Sequence, residues 1–537
     1  MRSSVKHSES LKSNVESNQP REKQKNKKPN KNQVSNSLTK EGPLLNSNAS
    51  NSKNKSSKKI NSKSLLKARQ GNLDCINPNA AGIDIGAKEI YVSIPDNRDS
   101  ECIRAFETHT AALHDLCNWL KKCGVNSAAM EATGNYWVPL YEIMEKYELN
   151  PILVDPRSTK NVTGRKSDVS DCEWLRTLLY YGLIQGAFRP PEEVVALRGY
   201  MRQRRLLIEH RSPHVLHMNK ALIEMNLRLG NVISDITGAT GLRIIRAIVN
   251  GRRDPKYLSS LRDKKCKSSE EVIEQSLTGH YKEEQIYALK QALELYDHYT
   301  SLIEDCDSEI KEAAEKITDK ISSADIQEKF FEEWEKEDEK RKLRKEQGEK
   351  IPEKKIKCRK RNASKNKFQN MDGWEVSYRK FGADLTRLDG ISEQTSFVIL
   401  SEIGTDMSPW KTCKHFSSWL GLSPNNKISG GRVLSSRTKR SRNRVTQALK
   451  LAAYSLHNSD SALGAYYRRM QNKHGTEKAI TCVAHKLARL VYNTLAHGQE
   501  YVDIGQEKYE QQYKEKQMRA LRKKAAEFGL ELVKQVA

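Results

Sequence analysis

The chain has 537 residues, 37% of them hydrophobic, and its 93 Lys and Arg against 68 Asp and Glu leave a formal net charge of +25. At about 150 residues per domain this length suggests three or four units. So large a positive surplus makes a polyanion the first partner to expect, nucleic acid before any membrane surface. No run approaches the roughly 18 apolar residues of a bilayer span, the N-terminus has no apolar secretory core, and ten scattered cysteines without a CxxC pair make no disulfide scaffold. A reduced chain is therefore expected, cytoplasmic and associated with the nucleoid, with no membrane partner.

Residues 1–72 read as a disordered basic tail. The first 70 hold 17 Lys and Arg against 4 Glu, and Ser and Asn dominate the remainder, so little apolar surface is available to offset ordering entropy. Such a tail is either simply solvated or a nonspecific nucleic-acid tether. From Asn79 the pattern changes. Ala81–Ile85, Lys88–Ile94 and Cys102–Glu107 read as strands, the second with Ile90, Val92 and Ile94 on one face. Ala111–Lys122 has helical spacing, Ser127–Glu131 is a short buried strand, Tyr136–Tyr147 a helix, Pro151–Val154 a strand and Ser167–Tyr181 a helix. The order βββαβαβα over 73–190 predicts a mixed sheet, opened by a three-strand meander and completed by helical crossovers.

Residues 191–375 read as a helical, coiled-coil region. Arg198, Arg202, Arg204, Arg205 and Arg211 lie among apolar positions at helical spacing, as a nucleic-acid rail or a solvated helix face. Ser212-Pro213 is predicted to break or kink that helix. His210, His214 and His217 have the spacing of a zinc face, which Pro213 and the lack of a fourth ligand argue against. A long helical stretch covers 283–322, and 328–367 carries 16 basic and 10 acidic side chains, a solvated insertion. In 376–500, Leu385–Leu388, Asp389-Gly390-Ile391 and Thr395–Ile403 predict helix, turn and helix, a hairpin whose amides could meet a phosphate. Ile428-Ser429-Gly430-Gly431-Arg432 reads as a basic loop, followed by the run Arg437 to Arg444; Arg432, Arg437, Lys439, Arg440 and Arg442 are nucleic-acid-binding candidates. Helices at Thr446–Leu456 and Lys478–Leu495 close this unit, and 501–537 is a charged helical tail.

Four carboxylates stand where the predicted topology would converge them. Asp84 interrupts an apolar first strand, Glu131 ends the fourth, and Asp168 and Asp171 share a face of the following helix. Each has an ordinary alternative: a turn or phosphate-loop aspartate, a strand-end glutamate, a helix-capping pair. An aspartate in a central strand is costly unless it is paired or holds a cation. Magnesium prefers such oxygens, and two ions a few ångströms apart suit phosphoryl transfer.

Gly82-Ile83-Asp84-Ile85-Gly86, Met130-Glu131-Ala132-Thr133-Gly134 and Arg165 to Asp171 resemble the DEDD transposases of insertion sequences, relatives of the pilin-gene invertase with a RuvC-like N-terminal domain. The resemblance extends over about 79–500 and takes in Pro190-Pro191, Asn250 to Pro255, Trp419 to Pro424 and Ser429-Gly430-Gly431. It implies an α/β plus all-α fold: an RNase H/RuvC-like mixed sheet, a coiled-coil region and a mainly helical C-terminal transposase domain with a helix-hairpin-helix-like turn. It implies Asp84, Glu131, Asp168 and Asp171 as ligands of Mg2+, two ions with Mn2+ as a substitute, and Ser429 as the nucleophile of DNA strand exchange through a phosphoserine. On residues alone Ser429 is an ordinary loop serine, with Ser435 and Ser436 as rivals. Adjacent glycines would admit a phosphate, and Arg432, Arg437, Lys439 and Arg440 could stabilise an oxyanion. The resemblance further implies DNA ends and target as partners, a homo-oligomer (dimer or tetramer) and a structured guide RNA. The alternatives are a RuvC-like junction-resolving nuclease with water as nucleophile, an actin-like ATPase or sugar kinase sharing the Gly-Ile-Asp-Ile-Gly opening, and a noncatalytic nucleic-acid-binding derivative.

Overall fold

The computed structural model describes residues 74–132, 134–159, 168–184, 186–329, 331–332, 335, 339, 366–439, 443–499 and 501–531; the side chains of 157, 158 and 168 are outside that description. The expected basic tail, most of the charged insertion, Arg440 and Arg442 therefore lie outside the described residues.

The N-terminal elements follow the predicted order. Strands β1 (Ala80–Ile85), β2 (Glu89–Ser93) and β3 (Ile103–Glu107) precede helix α1 (Thr110–Lys122). Then come β4 (Ser127–Glu131), α2 (Trp137–Lys146), β5 (Asn150–Val154) and α3 (Asp168–Tyr180). The sheet runs β3-β2-β1-β4-β5, antiparallel through the meander and parallel from β1 to β4 and β5. This is the RNase H/RuvC-like arrangement. Alternation along β1 separates two faces. Ala81, Ile83 and Ile85, with Ala128 and Met130, pack on Leu116 and Leu120 of α1 and Leu140 and Met144 of α2. Ala80, Ala129 and Val154 pack on Leu175 and Leu179 of α3.

Gly82 sets how closely α3 lies on β1. A Cβ there would meet the Cys172 carbonyl oxygen at 2.0 Å and the Arg176 nitrogen at 2.3 Å, so no larger residue fits. The helix runs antiparallel to the strand. Its last carbonyls accept from residues just ahead of β1, Tyr180 from the Ile76 and Asn77 amides at 3.1 and 3.0 Å.

Two 33-residue helices follow, α4 (Glu192–Glu224) and α5 (Glu283–Glu315). They pair antiparallel, with Arg204 on Asp307 and Arg211 on Thr300. The pair spans two cores. At one end Met218 and Leu222 join Leu289, Leu293 and three isoleucines (Ile244, Ile245 and Ile248). At the other Leu197, Leu207, Ile303 and Ile310 join Phe397, Leu400, Phe416, Leu449 and Leu487 of the C-terminal region. The predicted break at Pro213 does not occur, and α4 is continuous through it. Contacts to α5 flank the proline, with Arg211 bonded to Thr300 and His214 stacked on Tyr299, so tertiary packing holds the helix despite the lost amide.

The longer helices of the C-terminal region are α6 (Gly373–Phe381), α7 (Glu393–Ile403), α8 (Arg444–Ser455), α9 (Ala462–His474), α10 (Thr476–His497) and α11 (Gln506–Glu527). The turn ahead of α7 has the expected outline but a different use. Gly390, at φ +87°, abuts the Ala452 carbonyl and Leu456, and the Ile391 amide is spent on the Leu388 carbonyl. The predicted loop at 428–432 is a hairpin, β6 (Lys427–Ser429) and β7 (Arg432–Ser435). The nine described cysteines are free thiols, and no helix among the described residues is long and apolar enough to cross a membrane.

Candidate active site: a carboxylate edge and an exposed serine hairpin

The register of β1 on β4 pairs Ile83 with Met130. Asp84 and Glu131 come next along each strand, side by side at the carboxyl ends of neighbouring parallel strands about 4.8 Å apart. Both fall on the face turned toward α3, by alternation with the core residues Ile83 and Met130. Because α3 runs antiparallel to β1, its first turn lies at this same edge. Asp168, Asp171 and Cys172 continue the stripe that Leu175 and Leu179 bury. Burial pushes the Cys172 thiol up to about 12, and the Glu173 and Asp84 carboxylates add to the rise.

Asp84, Glu131 and Asp171 are half-buried, and neither Glu131 nor Asp171 has a basic side chain in ion-pair contact among the described residues. Asp168 occupies the matching position on α3, but its side chain lies outside the described residues. Among the described residues no group of three or more His, Cys, Asp or Glu closes to metal-binding distance. The donor chemistry nonetheless fits a hard cation: oxygens only, held on strands and a rigid helix. Asp155, one residue beyond β5, stands at the same edge and was not singled out from the sequence; its position directly after the apolar run Ile152-Leu153-Val154 was the available signal.

Ser429 pairs with Arg432 across the hairpin. Gly430 and Gly431, at φ +53° and +74°, form the two-residue turn, a geometry that excludes most side chains. Nothing stands within 4 Å of a Cβ at either position, so the backbone beside the serine is open to a ligand. Ser429, Arg432, Arg437 and Lys439 are exposed, as is the rival Ser436. Ser435 is half-buried and accepts a bond from the Arg437 amide. Among the described residues no hydrogen bond or ion pair joins the hairpin to the sheet.

The arginines of α4 divide. Arg204 is buried on Asp307 and donates to the Asn366 and Lys367 carbonyls at 3.1 and 3.2 Å, so it is an interior residue and not part of a rail. Arg211 bonds Thr300 and Asn366. Arg198 and Arg202 meet Glu402 at 3.3 and 2.9 Å, while Arg205 is exposed on Glu209. His210, His214 and His217 do share a face, but His210 and His214 pack on Tyr299 and no metal cluster forms among the described residues.

Sheet order and the mainly helical C-terminal region define an RNase H/RuvC-like α/β plus all-α fold. Residues 81–226 match the model of the DEDD transposases, described as a transposase, and residues 383–468 match the family described as Transposase IS116/IS110/IS902. These two regions support the DEDD transposase family of insertion sequences. The first match takes in all four acids and the arginine-bearing helix, and the second takes in Ser429 and its hairpin. No curated protein matches the chain significantly.

Proposed function

We propose that this transposase cleaves and exchanges DNA strands with Mg2+ held by Asp84, Glu131, Asp168 and Asp171 and with Ser429 as nucleophile. The observation that carries the reading is the placement of Asp84 and Glu131 side by side on the face that receives the first turn of α3. Bound there, magnesium would supply positive charge to the reacting phosphate and lower the cost of negative charge on the entering and leaving oxygens. The chain's own residues do the rest. The Ser429 oxygen bonds to phosphorus as the bond to the departing strand's sugar oxygen breaks; the serine proton is given up to a base and the leaving oxygen takes one up. The new strand end then displaces the serine by the reverse exchange. Arg432, Arg437 and Lys439 lie on or beside the hairpin, where they can steady the phosphate oxygens.

DNA ends and target are the substrates in this reading, and a dimer or tetramer assembles around them. A structured guide RNA would read sequence while the protein reads backbone and shape. The experiment is a strand-exchange assay on Ser429→Ala. Loss of exchange and of the covalent protein–DNA species supports the serine; DNA hydrolysis that survives the change replaces this reading with a junction-type nuclease using water. Ser435→Ala and Ser436→Ala, expected to remain active, separate the rivals.

A further inference from the structure

A cleft of about 350 Å3 opens where the start of α4 meets the C-terminal helices. Three guanidiniums, from Arg198, Arg202 and Arg444, line it around a single carboxylate, Glu402. That carboxylate is largely consumed already. Arg202 binds it in a fork, Nε to Oε1 at 3.2 Å and Nη2 to Oε2 at 2.9 Å. Arg198 adds a contact at 3.3 Å while its Nη2 caps the last turn of α7 at the Glu402 carbonyl, 2.6 Å away. Arg444 reaches Glu402 only at 3.8 Å. The wall is therefore left with two uncompensated positive charges. Burial lowers Arg198 to about 10 and also lowers Arg444, with the adjacent Arg202 charge adding to the latter. Partly desolvated guanidiniums in such excess favour an anion.

Two further features narrow the anion. Arg444 is the first residue of α8, so the start of that 12-residue helix lines the cleft, with its Val445 and Thr446 amides already held by the Asn443 side chain at 2.9 and 3.3 Å. The lining is also aromatic: Trp419, half-buried, with Phe188 edge-on to it at 5.6 Å. Cationic and aromatic walls together suit the two chemistries of a nucleotide, charged phosphate and flat base.

We propose that this cleft is a nucleotide subsite, in which Arg202 and Arg444 hold one phosphate of a nucleic-acid strand and Trp419 takes the adjoining base. The subsite deepens the nucleic-acid reading of this chain and needs no chemistry at the acids. It gives Arg198 a positioning role, since it holds Glu402 and α7 in place, and leaves Arg202 and Arg444 as the residues that touch the ligand.

The test uses the full chain in EDTA, so that a protein unable to exchange strands can still pass. Affinity for a fluorescent single-stranded DNA, and separately for an RNA of the same sequence, is measured against salt for the parent, Arg444→Gln and Arg202→Gln. Each variant is expected to bind about 3- to 10-fold more weakly and to flatten the log–log salt slope by about 0.7, the value for one single-strand phosphate. A change with DNA alone, RNA alone or both supports the subsite and names its strand. Because a variant could fail to fold, the parent chain is also photocrosslinked to strands carrying 4-thiothymidine or 4-thiouridine. A crosslink in the peptide containing Trp419 is expected, and inorganic phosphate at millimolar concentration should weaken it. Unchanged affinity and slope in folded variants overturn the proposal, as does a parent chain that crosslinks to neither strand at Trp419. Loss of exchange in Asp84→Asn with this binding intact would leave the subsite standing by itself.

Discussion

Asp84 occupies a half-buried position between Ile83 and Ile85, where any small apolar residue would pack without an electrostatic cost. A group retained only for packing would tolerate Asp84→Asn, which preserves shape and removes charge. A cation ligand would not. Asp84→Asn, Glu131→Gln and Asp171→Asn should each reduce strand exchange by roughly 100-fold or more, the scale of losing one electrostatic group at a reacting centre, while nucleic-acid affinity measured without divalent ion stays near that of the parent. Full activity in any two of them would remove the acids from the reaction. Arg204 illustrates the opposite case, a charge that serves the fold. Its guanidinium is enclosed by Asp307, two backbone carbonyls and the Phe368 ring. Arg204→Met leaves Asp307 buried without its ion-pair partner, held only by the Gln369 amide, and should cost about 3–5 kcal/mol in denaturant unfolding. Arg205→Gln, which breaks an exposed pair to Glu209, should cost no more than about 1 kcal/mol. Equal losses would mean that the two arginines share one surface role.

At the scale of elements, the site depends on how α3 is laid on β1, and Gly82 controls that contact. In Gly82→Ala the new methyl would strike backbone atoms of Cys172 and Arg176, which cannot rotate away. The helix must lift, at a cost of about 1–3 kcal/mol or more, and the first turn of α3 moves from the acids. Thermal unfolding should fall, and exchange should fall further than stability alone explains; an unaltered melting point would show that the helix is not so closely seated. Pro213 gives the converse test. It sits exposed inside α4, so Pro213→Ala should stabilise the chain by about 1–3 kcal/mol. These elements also show what could be read in advance. The sheet and its acids were legible because strand alternation and helical spacing are local signals, and every strand and crossover helix stands within a residue or two of its expected place. The continuity of α4 was not, since the contacts that override Pro213 come from Tyr299 and Thr300 on another helix. Nor was the fate of Arg204, whose partner Asp307 is 103 residues away. The hairpin was misread as a loop because both its strands are short and exposed on either face, with Ile428, Val433 and Leu434 at 61, 57 and 71% exposure; two glycines between apolar residues were the turn signal.

Across the whole molecule, formal charge and charge available to DNA are different quantities. The chain carries +25, of which the first 70 residues hold +13, from 17 basic and 4 acidic side chains. The remainder is further discounted by internal pairing: Arg204 is sealed on Asp307, Arg379 spans Glu315 and Asp319, and Lys380 is buried on the same two acids. Guanidiniums neutralised one for one by internal carboxylates release no counterions when DNA arrives, whereas those in excess contribute about 0.9 each to the salt slope on duplex. The N-terminal segment should therefore supply more than its numerical half of nonspecific binding. Deleting residues 1–70 should weaken binding to random duplex, reduce the slope of log affinity against log salt by more than half, and leave the effect of Arg444→Gln on single strands unchanged, because that side chain acts from the folded body. A truncated chain with the parent's slope would place the nonspecific contacts on the folded surface instead, and the exposed basic residues Arg432, Arg437 and Lys439 around the serine hairpin would then be the first to neutralise.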